Sequence, residues 1–320
     1  MKADKRSLAL ILALVLICTV LPLPAAQAAD VQPVLSAALA RQASAVPSPG
    51  YGDEWTVLGL ARGGYFTADS DYFARYYADL AAKVPELTAA SGRDGALNAY
   101  KSTDNSRVIL ALSAIGRDAA QVGGCDLTAP YADFAWVSNQ GINGPIFALL
   151  ALDSRNYLPG SAVRRQCVDA ILSAECSGGG WAFGGSAADP DMTAMALQAL
   201  AKYRDRQDVA DAVERGLTVL SQQQEENGGF VAYDSESSES IAQVIVALTE
   251  LDVSLTDSRF VKSGNTLVSR LLEFRTENGA FRHILDGEED VMATEQGFYA
   301  LVAVSRAEQG KSTLYTMTGE

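Results

Sequence analysis

Two aspartates one residue apart, Asp189 and Asp191, stand between the glycine-rich stretch GGGWAFGG and an Ala- and Leu-rich segment. A carboxylic acid that its neighbours keep protonated and polarised can donate a proton to a substrate. The same residues also spell a helix start. Asp189 would be the N-cap, Pro190 the first helical residue, and Asp191 an acid in the first turn. The second role outweighs the first. Met192 supplies neither charge nor a strong hydrogen bond to Asp191, and His283, the one histidine, lies far along the chain. Glu239 and Glu295 sit near the starts of two later apolar segments, so they can converge with Asp191 at one mouth. Two carboxylates flanking a bond are the equipment of glycoside hydrolysis. Trp181, Phe230, Tyr233 and Phe281 would offer stacking faces at the same end. Against this, acids are favoured at any helix start, and aromatics in repeated turns pack between neighbours.

A second set of residues emerges when the apolar segments are aligned on their Ala-Leu ends. Arg107, Gln243 and Gln296 fall in register with Met195 and Phe147, and Thr193 and Thr294 align one turn position away. Long polar groups at one level of apolar helices predict a lined cavity, because buried polar groups need partners. Asn139, Gln140 and Asn143 add to its mouth. The expected lining is Arg107, Asn143, Trp181, Thr193, Phe230, Tyr233, Gln243, Phe281, Glu295 and Gln296. Asp191 and Asp189 are the candidate acids.

The elements that must position these residues repeat. GGGWAF leads to PDMTAMALQAL, NGGFVAY to SESIAQVIVAL, and ENGAFRH to VMATEQGFYAL. Weaker copies precede them: GRDGALNAY, NQGING and GYGDEWTVLGLA. Amphipathic segments with apolar residues at three- and four-residue spacing alternate with these. They cover Pro33–Ser44, Asp71–Lys83, Pro130–Val137, Ala162–Ser173, Val209–Gln222 and Arg259–Phe274. Tyr51–Arg62 and Asp104–Gly116 join the more uniformly apolar set. Amphipathic helices suit an outer layer and apolar ones an inner layer, and such pairs stack on their neighbours. The expected fold is therefore all-α: an α/α6 toroid of six inner and six outer helices over residues 29–310. The tail 311–320, KSTLYTMTGE, is polar with one Leu and one Tyr, either docked or frayed.

The Gly-aromatic turn followed by an apolar helix resembles the repeat of squalene and oxidosqualene cyclases. The protein prenyltransferase β-subunits and the cobalamin carriers of the transcobalamin type share that toroid. The resemblance covers roughly residues 31–310 and is closest to secreted bacterial proteins with prenyltransferase/squalene-oxidase repeats. Class II terpene cyclases use an Asp-X-Asp-Asp motif whose middle Asp protonates the substrate. Asp189-Pro190-Asp191-Met192 stands in that place, Asp191 matches the acid, and Met192 replaces the last Asp. The prenyltransferases hold zinc with an Asp, a Cys and a His. Here no His lies at ligand spacing from Cys125, Cys167 or Cys176, so no metal and no cofactor are expected. The GGCDL segment lacks the Glu and Gln of a complement-type thioester.

Composition narrows the rest. Lys2, Lys5 and Arg6, the apolar run Leu8–Val20 and the small residues Ala26-Gln27-Ala28 read as a signal peptide over residues 1–28. Pro22 and Pro24 break the run, and Ile17 argues against lipidation of Cys18. The expected address is extracellular, secreted or at the cell surface, with no transmembrane anchor in the mature chain. The formal net charge is −14, which repels nucleic acid and is read here as a solubility feature, not the mark of a basic partner. Three cysteines are too few for a disulfide framework, although one bridge such as Cys125–Cys167 fits an oxidising location.

The function expected is a non-catalytic binder of a small hydrophobic or cofactor-sized ligand, or of a partner segment. A corrinoid is one candidate, because the resemblance includes corrinoid carriers. Those carriers clamp their ligand with an additional β domain, which a separate extracellular protein would have to supply. The alternatives are a terpene cyclase or mutase with Asp191 as acid, and a glycan-active toroid enzyme. Whether the chain is an enzyme stays open at this point.

Overall fold

The computed structural model describes residues 31–232 and 234–318. The signal peptide expected over 1–28 and Tyr233 lie outside the described residues. Twelve α-helices follow one another: α1 Gln32–Ala45, α2 Glu54–Arg62, α3 Asp71–Ser91, α4 Ser102–Ala114, α5 Phe134–Ser138, α6 Asn143–Ser154, α7 Ala162–Ser173, α8 Pro190–Leu200, α9 Gln207–Gln223, α10 Ser238–Glu250, α11 Leu267–Glu273 and α12 Val291–Glu308. Two short 3₁₀ turns, Ala129–Ala132 and Ala201–Tyr203, and one two-residue hairpin, Val231–Ala232 with Ser235–Glu236, complete the secondary structure among these residues.

The even-numbered helices form a ring. Each of α2, α4, α6, α8 and α10 packs against the next even helix, and α12 returns to pack against α2. The odd-numbered helices flank them. α7 lies on α6, α9 on α8, α11 on α10, and α1 bridges α12 and α2. Burial follows from the sequence pattern. Every residue of α10 is buried: its middle, Ile241–Leu248, is apolar but for Gln243, and its polar ends are covered by neighbouring turns and the tail. In α9 only Val209, Ala212, Val213, Gly216, Leu217 and Leu220 are buried, the narrow stripe of a helix wet on its other face.

The repeated turns have one geometry. Cys176 N–H donates to Gly180 O, and Gly179 N–H to Cys176 O. Glu225 with Gly229 and Gly228, and Thr276 with Ala280 and Gly279, repeat both bonds. Gly179, Gly228 and Gly279 have φ of 91°, 90° and 86°, a backbone state that glycine enters at little cost. The following helices start on side-chain caps. Asp189, Ser237 and Asp290 accept from the N–H groups of Met192, Ser240 and Ala293.

Most expected helices shift by one to three residues at their ends, as Tyr51–Arg62 does to Glu54–Arg62 and Asp104–Gly116 to Ser102–Ala114, and three differ more. α3 continues through Pro85 to Ser91, where Gly92 at φ 70° ends it. The segment 130–137 divides at Asp133, which caps α5. The segment 259–274 yields only α11, because Ser263 and Gly264 take positive φ in a turn that pairs Lys262 with Asn265, and Thr266 then opens the helix with a capping box. Cys125, Cys167 and Cys176 are all free thiols, so the Cys125–Cys167 bridge does not form.

The C-terminal tail docks. Leu314, Tyr315 and Met317 are buried. Arg62, at the end of α2, donates to the carbonyls of Thr313, Leu314 and Thr316. Arg306 of α12 donates to Ser312 O. Tyr315 N–H reaches Glu250 at the end of α10, and Met317 N–H reaches Ser154 O at the end of α6. The tail thus ties together the C-terminal ends of four ring helices and closes the hub from that side.

Candidate functional site

The hub is open at the N-terminal ends of the ring helices. The alignment on Ala-Leu ends extends to α2 if Gly59-Leu60 is counted as the matching pair. One residue per ring helix then occupies the same level: Trp55, Arg107, Phe147, Met195, Gln243 and Gln296. Four residues earlier in the chain stand Thr103, Asn143, Asp191, Glu239 and Met292, each in the first turn of its helix, and Tyr51 in the loop before α2. Four of the first set (Trp55, Arg107, Phe147 and Met195) line a single pit of about 290 Å³ with Thr103, Asp104, Gln140 and Asn143. Trp55 is its aromatic wall, 6.2 Å from Phe147 and 5.7 Å from Tyr299 between ring centroids. Arg107 is held from behind by Glu54 at 2.8 Å, and its guanidinium lies 5.8 Å from the centre of the Tyr51 ring. Glu54 is fully buried, and burial pushes its carboxyl above the usual range despite the opposing Arg107 charge.

The other side of the hub is a hydrogen-bonded amide network. Gln198 donates to the side chain and backbone carbonyls of Gln243 at 2.9 and 3.0 Å. Gln243 donates to Gln296 at 2.8 Å and to the Tyr299 hydroxyl at 2.6 Å. The network meets the pit wall at Tyr299, whose ring centroid lies 5.7 Å from that of Trp55. A second hollow, about 350 Å³, lies beside it between α1, α2 and α12 and includes Arg41, Asp53, Thr56, Glu289 and Glu295.

Carboxylates gather at the mouth. Burial raises Asp191 to about 6, reinforced by Asp189 and Glu239 and partly offset by the Ser240 hydroxyl. Burial raises Glu295 to about 7, with Asp53 and Glu54 adding to it and the Thr56 hydroxyl opposing. Glu239 sits with both oxygens 2.9 Å from His283 Nδ1. Histidine and acid, remote in sequence, thus meet across the turn that leads to α12. Among the described residues no three His, Cys, Asp or Glu side chains group as a metal site would require.

The expected site residues divide. Arg107 and Asn143 line the pit, Glu295 lines the second hollow, Gln243 and Gln296 belong to the amide network, and Asp191 lines neither hollow. Asp189 does not face it as an acid: its two oxygens accept from Met192 N–H at 2.8 Å and Phe183 N–H at 2.9 Å. Trp181, Phe230 and Phe281 are fully buried core residues. The Trp181 indole donates to Ile171 O at 2.7 Å, and the Phe281 ring packs so close to Gly297 that an added Cβ would come within 2.7 Å. Thr193 is buried too, and its hydroxyl pins the turn by accepting from Trp181 N–H and donating to Trp181 O. Thr294 does the same for Phe281. Tyr233 lies outside the described residues. Trp55, Glu54, Asp104 and Tyr299 were not foreseen. Trp55 was legible as the residue four before Gly59, once Gly-Leu is admitted as a variant of Ala-Leu.

Comparison with known proteins agrees with this architecture. Residues 150–279, from α6 through the last glycine turn, match the family described as the squalene-hopene cyclase C-terminal domain. No curated protein matches the sequence. The unsaturated glucuronyl hydrolase of Bacillus sp. GL1, responsible for the degradation of glycosaminoglycan, superposes with TM-score 0.60 at 13% identity. The match covers 90% of this chain and 98% of that one. A UGL variant with dGlcA-Glc-Rha-Glc superposes with TM-score 0.62 at 13% identity, over 91% and 100% of the two chains. The chain is therefore similar in sequence to the squalene-hopene cyclase C-terminal domain over residues 150–279, and similar in fold to α/α-toroid hydrolases over nine-tenths of its length.

Proposed function

We propose that the chain is a secreted α/α6 toroid that binds an uncharged or cationic small molecule, rich in hydroxyl or amide groups, at the hub mouth. The observation that carries this is the pit at Trp55. Four ring helices each contribute one in-register side chain to it, and an aromatic wall faces Arg107, Asp104, Asn143 and Gln140. Concave sites with an apolar wall and a few convergent polar groups are the usual form of small-molecule sites. At about 290 Å³ the pit takes one ring or one end of a larger ligand. A corrinoid would have to lie across the mouth. The carboxylates of Asp104, Asp191, Glu239 and Glu295 outnumber Arg107 and His283, which disfavours uronates and prenyl diphosphates. Secretion is supported by the pattern of residues 2–28 alone.

Thermal shift across neutral oligosaccharides, corrinoids, isoprenoids and uronates tests the reading. A ligand at one hundred times its Kd adds about 2.7 kcal/mol. Trp55→Ala is expected to abolish that shift and to move the unliganded stability far less than a fully buried Trp would. A shift that survives Trp55→Ala, or none from any class, overturns the reading.

Asp191 supports a second reading. With its carboxyl at about 6, both its protonated and ionised forms are populated near neutrality, as a general acid requires. Turnover of a neutral glycan or of squalene that is lost in Asp191→Asn would make the toroid an enzyme. Absence of any product with ligand binding intact leaves the binder.

A further inference from the structure

Eight large apolar side chains are exposed among the described residues. Seven of them lie at the mouth: Tyr100, Phe183, Val231, Ile284 and Leu285 on the loops that enter ring helices, and Val291 and Met292 in the first turn of α12. Tyr65, at the other end, is the eighth. Val291, Tyr100 and Phe183 are 78%, 71% and 69% exposed. Apolar side chains collected on one face, unlike ones scattered singly, mark a surface that meets something.

Charge is segregated the same way. The loops entering ring helices (46–53, 92–101, 139–142, 174–189, 224–237 and 274–290) carry thirteen Asp or Glu and four Lys or Arg. The segments leaving ring helices at the opposite end (63–70, 155–161, 201–206, 251–266 and 309–318) carry four acids and seven bases. The long segment 115–133 runs between the two ends and is not counted. The net charge is therefore not spread evenly, as the solubility role expected from composition would have it, but resides mainly on one face, the face that also exposes the apolar residues. A second copy docked mouth to mouth would oppose two acidic faces, and an anionic lipid surface would be repelled. A polypeptide can present basic and apolar side chains on one surface, which is the complement of this face.

We infer that the mouth face is a docking surface for a basic polypeptide, its apolar side chains on the rim and a Lys or Arg side chain directed at Asp191, Glu239 and Glu295. Only that last contact rests on the pit being a binding site. The test uses the full chain and two short synthetic peptides, one alternating Leu with Lys and the other Leu with Glu. Isothermal titration is expected to show binding of the Lys peptide, weakened by salt, and none of the Glu peptide. The triple variant Tyr100→Ser, Phe183→Ser, Val291→Ser should weaken it about tenfold or more, and Tyr65→Ser should leave it unchanged. Equal binding by the triple variant reduces the effect to net charge and overturns the inference. Equal binding of the Glu peptide, or a dimer of the parent protein that the triple variant abolishes, overturns it as well. Trp55→Ala separates the two proposals. Peptide binding that survives in it, without any small-molecule shift in the parent, removes the pit reading alone. A Trp55-dependent shift without peptide binding removes the docking surface alone.

Discussion

The two ends of the ring use charged residues in opposite ways. At the closed end Arg62, Arg306 and Glu250 are nearly buried, and their charges are spent on the backbone of the tail. At the mouth the acids Asp191 and Glu295 are only partly buried, and burial raises both without a cation bonded to either. Buried charge with fixed partners builds structure; charge left under-compensated beside a pit remains available to a ligand. On the function proposed above, the difference assigns stability to one end and binding to the other.

The sharpest break would come from the tail. Ending the chain after Gly310 strips the carbonyl acceptors from two buried arginines and removes three buried side chains. Burial of each such side chain stabilises by about 1.5–3 kcal/mol, and orphaned charges add to the loss. A fall of about 5 kcal/mol or more in unfolding free energy is expected in denaturant titration, and a loss below about 1 kcal/mol would refute the structural role of that end.

Trp181→Ala comes next. A fully buried Trp costs about 3–5 kcal/mol on truncation. The variant should lose stability in that range and, if it folds, bind any pit ligand as the parent does. A binding defect without a stability defect would restore Trp181 to the mouth.

The smallest effect sharpens the mouth. Asp191 and Glu295 have folded-state values of about 6 and about 7, above the ordinary carboxyl range. The native state therefore holds more protons than the unfolded state between about pH 4 and 7, so both groups make stability fall as pH rises through that window. Their penalty is absent below pH 4 and fully present above 7. Asp191→Asn should raise stability at pH 7.5 by about 1–3 kcal/mol and flatten the profile. An unchanged profile would mean that Asp191 is fully solvated.

Much of the fold was readable because its signals are local. The turns at Gly179, Gly228 and Gly279 need positive φ, the caps at Asp189 and Asp290 need short polar side chains, and helix α7 has the bounds that its periodicity predicts. The site was half legible. Register on the Ala-Leu ends places Arg107 and Gln243 at one level, because helical spacing preserves level. It does not say which way a turn aromatic points, so Trp181, Phe230 and Phe281 were misplaced. They turn into the core because Gly216 and Gly297 leave room for the Trp181 and Phe281 rings.

The amino-acid sequence by itself determined the helices, the repeated turn and the role of Asp189, since each depends on neighbours a few residues away. Only the tertiary structure decided that Glu54 holds Arg107, that His283 meets Glu239, that the tail seals one end, and that acid and exposed apolar side chains share the other. Those facts depend on closure. When α12 packs against α2, residues more than two hundred positions apart become neighbours, and no local preference encodes which of them will face one another.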